Sequence, residues 1–295
     1  MRVNPNQTAT LLDALSQARR EEQQALLELS SGRRVNAPSD DPAAAAMLVS
    51  NNDQATLTDR YQQSVGSIQG QLQMADSTLS SIETALQRAI SLGVQGANGT
   101  LGDSDRAAIA SELQNIQSSL LALSNTKFQG RYLFAGTAIN AAPFALDNTQ
   151  ASGVRYDGNN AVNQVTIGDG HQLAVNQPGS QLFVAAGHDM FLAVTNAVQA
   201  MQSNTGFDAA VNSLRDAFDH VAAQRVFYGN AMNQAQAQST YLSDVKLQLS
   251  QQENTLGGVS LDAAATRLVN AQNATNATLA AMGRVSGTNL FDFLK

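Results

Sequence analysis

A cluster of oxygen-bearing side chains lies in the N-terminal part of the chain, where Ser39, Asp40 and Asp41 stand between Pro38 and Pro42. Carboxylate and hydroxyl oxygens are ligands that Mg²⁺ and Ca²⁺ accept, so this triplet could hold a cation. The same residue types just before a proline are also typical of a helix N-cap, because their oxygens accept hydrogen bonds from the first free amides of the helix. Acidic charge is favoured at that positive helix end. We therefore interpret the cluster as a helix cap and predict no metal site.

The other candidate metal ligands are His171, His188 and His220, which are dispersed along the chain. None has the spacing that places two imidazoles on one face of a helix. The chain has no Cys, which excludes thiolate ligands, Cys nucleophiles and disulfides. No Gly-rich phosphate loop follows a strand, no nucleophile elbow occurs and no pair of carboxylates stands out. We predict that the chain is not an enzyme and needs no cofactor.

Composition narrows the possible partners. The 295 residues, 43% of them apolar, suffice for two or three domains. The net charge is −7, and the 17 Lys and Arg residues form no stripe that could neutralise phosphates, so nucleic acid is not expected as a partner. No stretch approaches the roughly 20 apolar residues of a membrane span. The first residues lack the apolar core of a signal peptide, so we expect neither membrane insertion nor a cleaved signal.

Apolar residues recur at spacings of three and four in five segments, which predicts five amphipathic helices. The strongest pattern runs over residues 61–89 for about four heptads, and residues such as Ile68 and Leu79 within it are expected to form core. The pattern over 109–123 follows a Gly-rich loop, so these two helices should form an antiparallel hairpin. Ser104 or Asp105 is expected to cap the second of them.

Two more helical patterns cover residues 214–249 and 261–285, and the remaining one covers 11–29. Between 138 and 178 the pattern changes to short β-branched runs bounded by Gly, Asn and Asp, which predicts strands. A helix over 42–92 would be about 75 Å long, more than a compact domain needs. The predicted fold is therefore mainly α: a long antiparallel coiled-coil rod built from the N-terminal and C-terminal segments, with a small β-rich inserted domain.

This fold divides the chain into five parts. An N-terminal assembly helix and hinge are predicted at 1–41, and the first rod helices at 42–137. The β-rich insert is predicted at 138–195, the second group of rod helices at 196–255, and a C-terminal assembly helix at 256–295.

The two terminal helices are expected to contact other subunits. Single amphipathic helices of this length are marginal in water, and each has too little chain beside it to bury its apolar residues. We expect both termini to be poorly ordered until subunits assemble. The predicted interface residues are Leu11, Leu15, Ala18, Leu29, Leu261, Leu268, Ala271, Met282, Phe291 and Phe293.

Several segments resemble one known family. The segment LSSGRRVNAPSDDPAAAA at 29–46 is similar to the N-terminal hinge of flagellins and hook-associated proteins. Residues 75–100 and 105–126 resemble the helical hairpin that these proteins share. GRYLFAGT at 130–137 and the C-terminal stretch 260–295, which closes on LFDFLK, are similar to the hook-filament junction subfamily. The chain is identified by this resemblance as a member of the bacterial flagellin family.

The resemblance implies a secreted structural adaptor of the bacterial flagellum, located outside the cell. Its expected partners are copies of itself in a ring or helical layer, the hook-side hook-associated protein, flagellin, and an export chaperone that holds the C-terminal helix. A filament subunit, flagellin itself, is the near alternative. An intracellular coiled-coil scaffold is the alternative that the five helical patterns alone would allow.

Overall fold

The computed structural model describes residues 6–291, and side chains between residues 9 and 285. The chain divides into two compact units. The central unit is Thr58–Ser243, and the terminal unit combines the chain up to Leu57 with the chain from Asp244 onward.

In the terminal unit, α1 covers Asn6–Ser31 and α7 covers Leu261–Phe291, and these two helices pack against each other. The unit also contains the start of α2, which covers Pro42–Gly96, and the end of α6, which covers Phe207–Gly257. Asn51 Nδ2 of α2 donates to the Leu249 carbonyl of α6 at 2.9 Å, which joins these two ends.

In the central unit, α2 is followed by α3 at Asp103–Ser124, α4 at Gly179–Leu182 and α5 at Met190–Ser203. One face of α2 is buried, and its members follow the predicted spacing: Val65, Ile68, Leu72, Ala75, Leu79, Ile82, Leu86 and Ala89. Burying a large apolar side chain contributes roughly 1.5 to 3 kcal/mol relative to exposure, so the leucines and isoleucines of this row contribute substantially to the stability of the unit. The prediction that these residues form core is confirmed.

The predicted helical hairpin is also confirmed, because α3 runs back along α2. Arg88 Nη2 of α2 lies 2.6 Å from Glu112 Oε1 of α3. The predicted cap of α3 is wrong by one turn: the N-cap is Gly102, and Asp105 accepts a hydrogen bond from the Gly102 amide at 3.4 Å instead of starting the helix. Asp103 and Asp105 place negative charge in the first turn, where the helix dipole favours it.

Helix α6 packs antiparallel to α2 within the central unit. Its buried residues recur every seven positions at Leu214, Val221, Tyr228, Ala235 and Leu242, as the sequence pattern predicts. The polar residue between them, Arg225, binds two carboxylates of α2: its Nε lies 2.6 Å from Asp76 Oδ1 and its Nη1 lies 2.9 Å from Glu83 Oε2. This cluster fixes the axial register of α6 on α2, because a shift by one turn would separate all three charges.

The strands form three separate two-stranded antiparallel hairpins in the described chain. β1 at Lys127–Phe128 pairs with β2 at Arg131–Tyr132, and the turn residues Gln129 and Gly130 both have positive φ, as a two-residue hairpin turn requires. β3 at Phe144–Leu146 pairs with β4 at Val154–Tyr156. β5 at Gln164–Gly168 pairs with β6 at His171–Ala174. The mainly helical class, with short strands in the middle of the chain, is confirmed.

The β3–β4 hairpin shares a small aromatic core with α5 and with the residue that follows α4. Phe134, in the GRYLFAGT segment, packs edge-to-face on Phe183 with ring centroids 5.0 Å apart, and Phe144 contacts Phe183 and Phe191. Helix α5 starts at Met190 inside the region predicted as a β-rich insert, with Asp189 as its N-cap. The five predicted domain boundaries stay predictions.

Candidate assembly surface

The acidic cluster before α2 is a helix cap. Asp41 Oδ1 accepts a hydrogen bond from the Ala44 amide at 3.0 Å, one helical turn ahead. Asp40 Oδ2 accepts from the amides of Asn36 and Ala37, which folds the preceding loop. The Ala44 amide, and after it the Arg34 guanidinium, lower the pKa of Asp41 below its ordinary value of 3.8. The carboxylates are thus occupied by the protein's own donors, as the cap interpretation predicted.

The segment that connects α1 to α2 and the segment that connects α6 to α7 are paired with each other. The Arg34 amide donates to the Gly257 carbonyl at 2.7 Å, and the Val259 amide donates to the Gly32 carbonyl at 3.3 Å. Arg33 and Gly258 form the antiparallel bridge between them. We call this arrangement of residues 32–34 and 257–259 the clasp.

Side chains reinforce the clasp. The Arg34 guanidinium lies 3.1 Å from Asp41 Oδ2 and donates to the Leu256 carbonyl at 2.8 Å, so one side chain ties the cap of α2 to the end of α6. A Cβ at position 257 would lie 3.1 Å from Leu48 Cδ1, tighter than ordinary packing, so Gly257 allows the close approach. The clasp holds the end of α1 and the start of α7 side by side.

Helices α1 and α7 meet through small side chains. Ala18 and Ala25 of α1 and Ala264 and Ala271 of α7 are buried, and alanines at an interface let the two backbones approach closely. The pair also encloses a charge: Glu28 is 1% exposed, and its Oε2 lies 2.6 Å from Nη2 of Arg267, while Oε1 accepts from Nη1 at 3.2 Å. A buried carboxylate with one partner restricts the register, because any other register would leave it unpaired.

The structure brings most of the predicted interface residues together inside one chain. Those that are buried or partly buried in the terminal unit are Leu11, Leu15, Ala18, Leu29, Leu268, Ala271 and Met282. The sequence argument expected too little chain beside these residues to bury them, whereas α1 and α7 pack on each other and cover most of them. Leu261 is exposed. The Phe291 side chain and Phe293 lie outside the described residues, and contact of all ten with another subunit stays a prediction.

A second set of apolar residues on α1 and α7 is exposed, and the sequence argument identified only Leu261 among them. The other members lie near the heptad positions of α1 or α7, so the signal was a wider apolar stripe than two positions in seven. We call this set the outer apolar surface: Leu12, Leu26, Leu27, Leu261, Val269 and Leu279. Both terminal helices therefore carry exposed apolar side chains in addition to the alanines that they bury against each other.

The described residues include no group of three or more His, Asp or Glu side chains that could hold a metal ion. His188 and His220 stack with ring centroids 4.9 Å apart, a proximity that their spacing in the sequence did not reveal, and His220 Nε2 lies 2.7 Å from the Gln181 carbonyl oxygen. Within the described helices, none is long and apolar enough to cross a membrane.

Comparisons with known proteins point to one family. The model of the bacterial flagellin N-terminal helical region matches residues 3–139. The chain is 26% identical over 294 residues to flagellar hook-associated protein 3 of Escherichia coli strain K12, covering 91% of each chain. It is also 30% identical over 249 residues to flagellin of Bacillus subtilis strain 168, covering 79% of each.

The fold agrees with a solved structure. The solved structure of a protein from Vibrio parahaemolyticus, provisionally assigned as flagellar hook-associated, is similar with a TM-score of 0.66. The match covers 73% of this chain and 98% of that chain at 22% identity, which supports a shared fold. With matches to flagellins and hook-associated proteins over most of its length, and with paired terminal helices, the chain belongs to the bacterial flagellin family.

Proposed function

We propose that this chain is a structural adaptor subunit of the bacterial flagellum that joins the hook-side hook-associated protein to the filament. The observation that carries this proposal is the similarity to flagellar hook-associated protein 3 across 91% of both chains. The role is mechanical and requires no catalytic step.

The terminal unit supports an assembly role physically. Its inner face uses small side chains and one enclosed ion pair, while leucines remain on its outer apolar surface. Burying one such leucine against a neighbouring subunit would contribute roughly 1.5 to 3 kcal/mol to the free energy of association. An interface that covers several of them would therefore be stable. The proposed interface is this surface, and the predicted residues buried between α1 and α7, such as Ala18 and Ala271, support it by holding the two helices together.

The proposed partners follow from this role. Copies of the chain form a ring or helical layer, the hook-side hook-associated protein lies below it, and flagellin adds above it. A flagellar export chaperone is proposed to cover the apolar C-terminal helix before assembly. The assembled subunit is located on the flagellum, outside the cell.

Deleting the gene tests the proposal. An adaptor's loss should leave hooks without filaments and release monomeric flagellin into the medium, because export continues while nothing anchors the polymer. Electron microscopy of the cells and immunoblotting of the medium measure both. Normal filaments in the deleted strain would contradict the adaptor role.

Flagellin is the second candidate, favoured by the 30% identity to the Bacillus subtilis protein over most of both chains. The two candidates differ in how they polymerise. A flagellin adds to seeds without limit and forms long filaments, whereas an adaptor adds one limited layer and then accepts flagellin. Incubating the purified chain with sheared filament seeds and measuring the added length separates them.

A further inference from the structure

A cavity of about 290 Å³ lies in the central unit, between α2, the β1–β2 hairpin and the β5–β6 hairpin. Its walls include the half-buried rings of Phe128 and Tyr132. Its polar residues include Gln129, Arg131 and Gln164, and all three are exposed. The volume is close to the lower end of the range for small-molecule sites, so the cavity fits a ligand of about one ring.

Contacts within the central unit hold the walls of this cavity in place. Gly70 of α2 lets the Phe128 ring approach closely, since a Cβ at position 70 would lie 3.1 Å from Phe128 Cζ. On the other side, the Gly136 carbonyl accepts from Asn163 Nδ2 at 3.1 Å and from Asn176 Nδ2 at 3.3 Å. The walls are thus fixed by the fold, which reduces the ordering that a ligand would have to impose.

Three polar side chains at the cavity are not used by the chain itself. Within residues 9–285, no hydrogen bond or ion pair involves the side chains of Gln129, Arg131 or Gln164. A carboxamide both donates and accepts, so the two glutamines match hydroxyl groups, which also do both. Gln129 has a φ of 49°, a conformation that residues other than glycine rarely adopt. Such conformations cluster at functional sites.

The charge around the cavity is positive. The Arg131 guanidinium presents its donors in a planar fork that matches the two oxygens of a carboxylate. Lys127 Nζ lies 4.5 Å from the centroid of the Tyr132 ring, which places a second cation beside the same wall. No Asp or Glu is among the described residues that line the cavity. A ligand with a carboxylate therefore fits better than a neutral or cationic one.

We propose that this cavity binds a saccharide unit that carries a carboxylate, such as a uronic acid. Arg131 binds the carboxylate, and the carboxamides of Gln129 and Gln164 bind ring hydroxyls. The C–H groups of the sugar pack on the rings of Phe128 and Tyr132, whose faces carry partial negative charge. Binding here is independent of the adaptor role, since it needs only residues of one central unit.

Saturation-transfer difference NMR on the purified full chain tests this site with D-galacturonate and D-galactose. The two sugars differ only in that galactose has a hydroxymethyl group in place of the carboxylate. Galacturonate should bind saturably and galactose about tenfold more weakly, because galactose leaves the Arg131 guanidinium without its charged partner. Absence of saturable galacturonate binding, or equal binding of the two sugars, would overturn the proposal.

A pair of arginine variants locates the binding. Arg131→Gln should weaken galacturonate binding by about tenfold, because it removes the charged fork and keeps a long polar side chain. The matched control is Arg215→Gln, which changes an exposed residue of α6 outside the cavity lining and should leave binding unchanged. Equal binding by the two variants would place galacturonate elsewhere on the chain and contradict the proposed site.

A third variant covers the case in which Arg131→Gln disturbs the β1–β2 hairpin. Gln129→Asn keeps a residue type that accepts positive φ, so the turn is retained while the carboxamide is drawn back by a methylene group. Galacturonate binding should fall by about threefold while the circular dichroism spectrum stays unchanged. If this variant binds galacturonate as tightly as the unchanged chain, Gln129 does not contact the sugar and the proposal is wrong.

Discussion

The two units of this chain differ in what fills their interiors. The central unit buries large side chains such as Leu79, Phe134 and Tyr228, whereas the α1 and α7 pair buries alanines and the carboxylate of Glu28. Large apolar side chains contribute most of the free energy of folding, and two helices joined by alanines gain far less. We therefore expect the central unit to be stable by itself and the terminal unit to gain stability from neighbouring subunits.

The substitution with the largest expected effect is Ala271→Asp, because Ala271 is buried between α1 and α7. An unpaired carboxylate there costs several kcal/mol, enough to separate the two helices and block assembly while the central unit stays folded. Limited proteolysis should remove the terminal helices first, and filaments should be absent. Ala274→Asp is the matched control, since Ala274 is exposed on the same helix. Equal loss of filaments in both variants would contradict the assignment of the inner face.

In the central unit, Leu79→Ala should lower the free energy of unfolding by about 3 kcal/mol, because it removes a fully buried side chain and leaves a cavity. Urea unfolding followed by circular dichroism measures the loss. Met74→Ala, at an exposed position of the same helix, should cost less than about 1 kcal/mol. If the terminal helices become as sensitive to protease in Leu79→Ala as in Ala271→Asp, the two units do not unfold independently.

Ion pairs offer a sharper contrast within the terminal unit. Arg267→Ala leaves the enclosed Glu28 carboxylate without its partner and should destabilise the α1 and α7 pair by about 2 kcal/mol, less than a fully buried pair because Arg267 is 52% exposed. Arg33→Ala breaks a pair that is exposed on both sides and should cost less than about 0.5 kcal/mol. Hydrogen exchange of the α1 amides measures both changes. Equal protection in the two variants would mean that Glu28 does not fix the register.

The smallest expected effect is on the stability of the start of α2 at acid pH. Because the pKa of Asp41 is lower in the folded chain than its ordinary value of 3.8, its cap stabilises α2 above that pH and is lost as the pH falls through the folded value. Protease cleavage before α2 should therefore increase in acid. In Asp41→Asn this increase in cleavage should be absent, whereas Asp53→Asn, which changes an exposed residue of α2, should retain it. If cleavage of Asp41→Asn still increases at acid pH, other carboxylates cause the increase.

The helices could be predicted from the spacing of apolar residues because each long helix exposes one face and buries the other. The spacing from Val65 to Ala89 identified the buried face of α2, and Pro42 after Asp41 identified its start. The cap of α3 was missed because Gly102 has no side chain to signal a cap. The pairing of the short strands into three separate hairpins could not be predicted, since strand pairing depends on contacts that short runs of residues do not encode.

The predicted assembly residues show the same limit. A heptad pattern states that a helix has an apolar face, but it does not state which surface covers that face. The clasp, which sets α1 beside α7, connects residues more than 220 positions apart in the sequence. It decides that Ala18 and Ala271 are covered within the chain while leucines beside them stay exposed.

The sequence by itself determined the helices, the mainly helical class and the family, because these depend on local periodicity and on residue identities along the chain. Only the tertiary structure decided which apolar face of the terminal helices is buried in the chain and which remains for a neighbour. The physical reason is that burial is a property of two surfaces in contact, and a single segment of sequence describes only one of them.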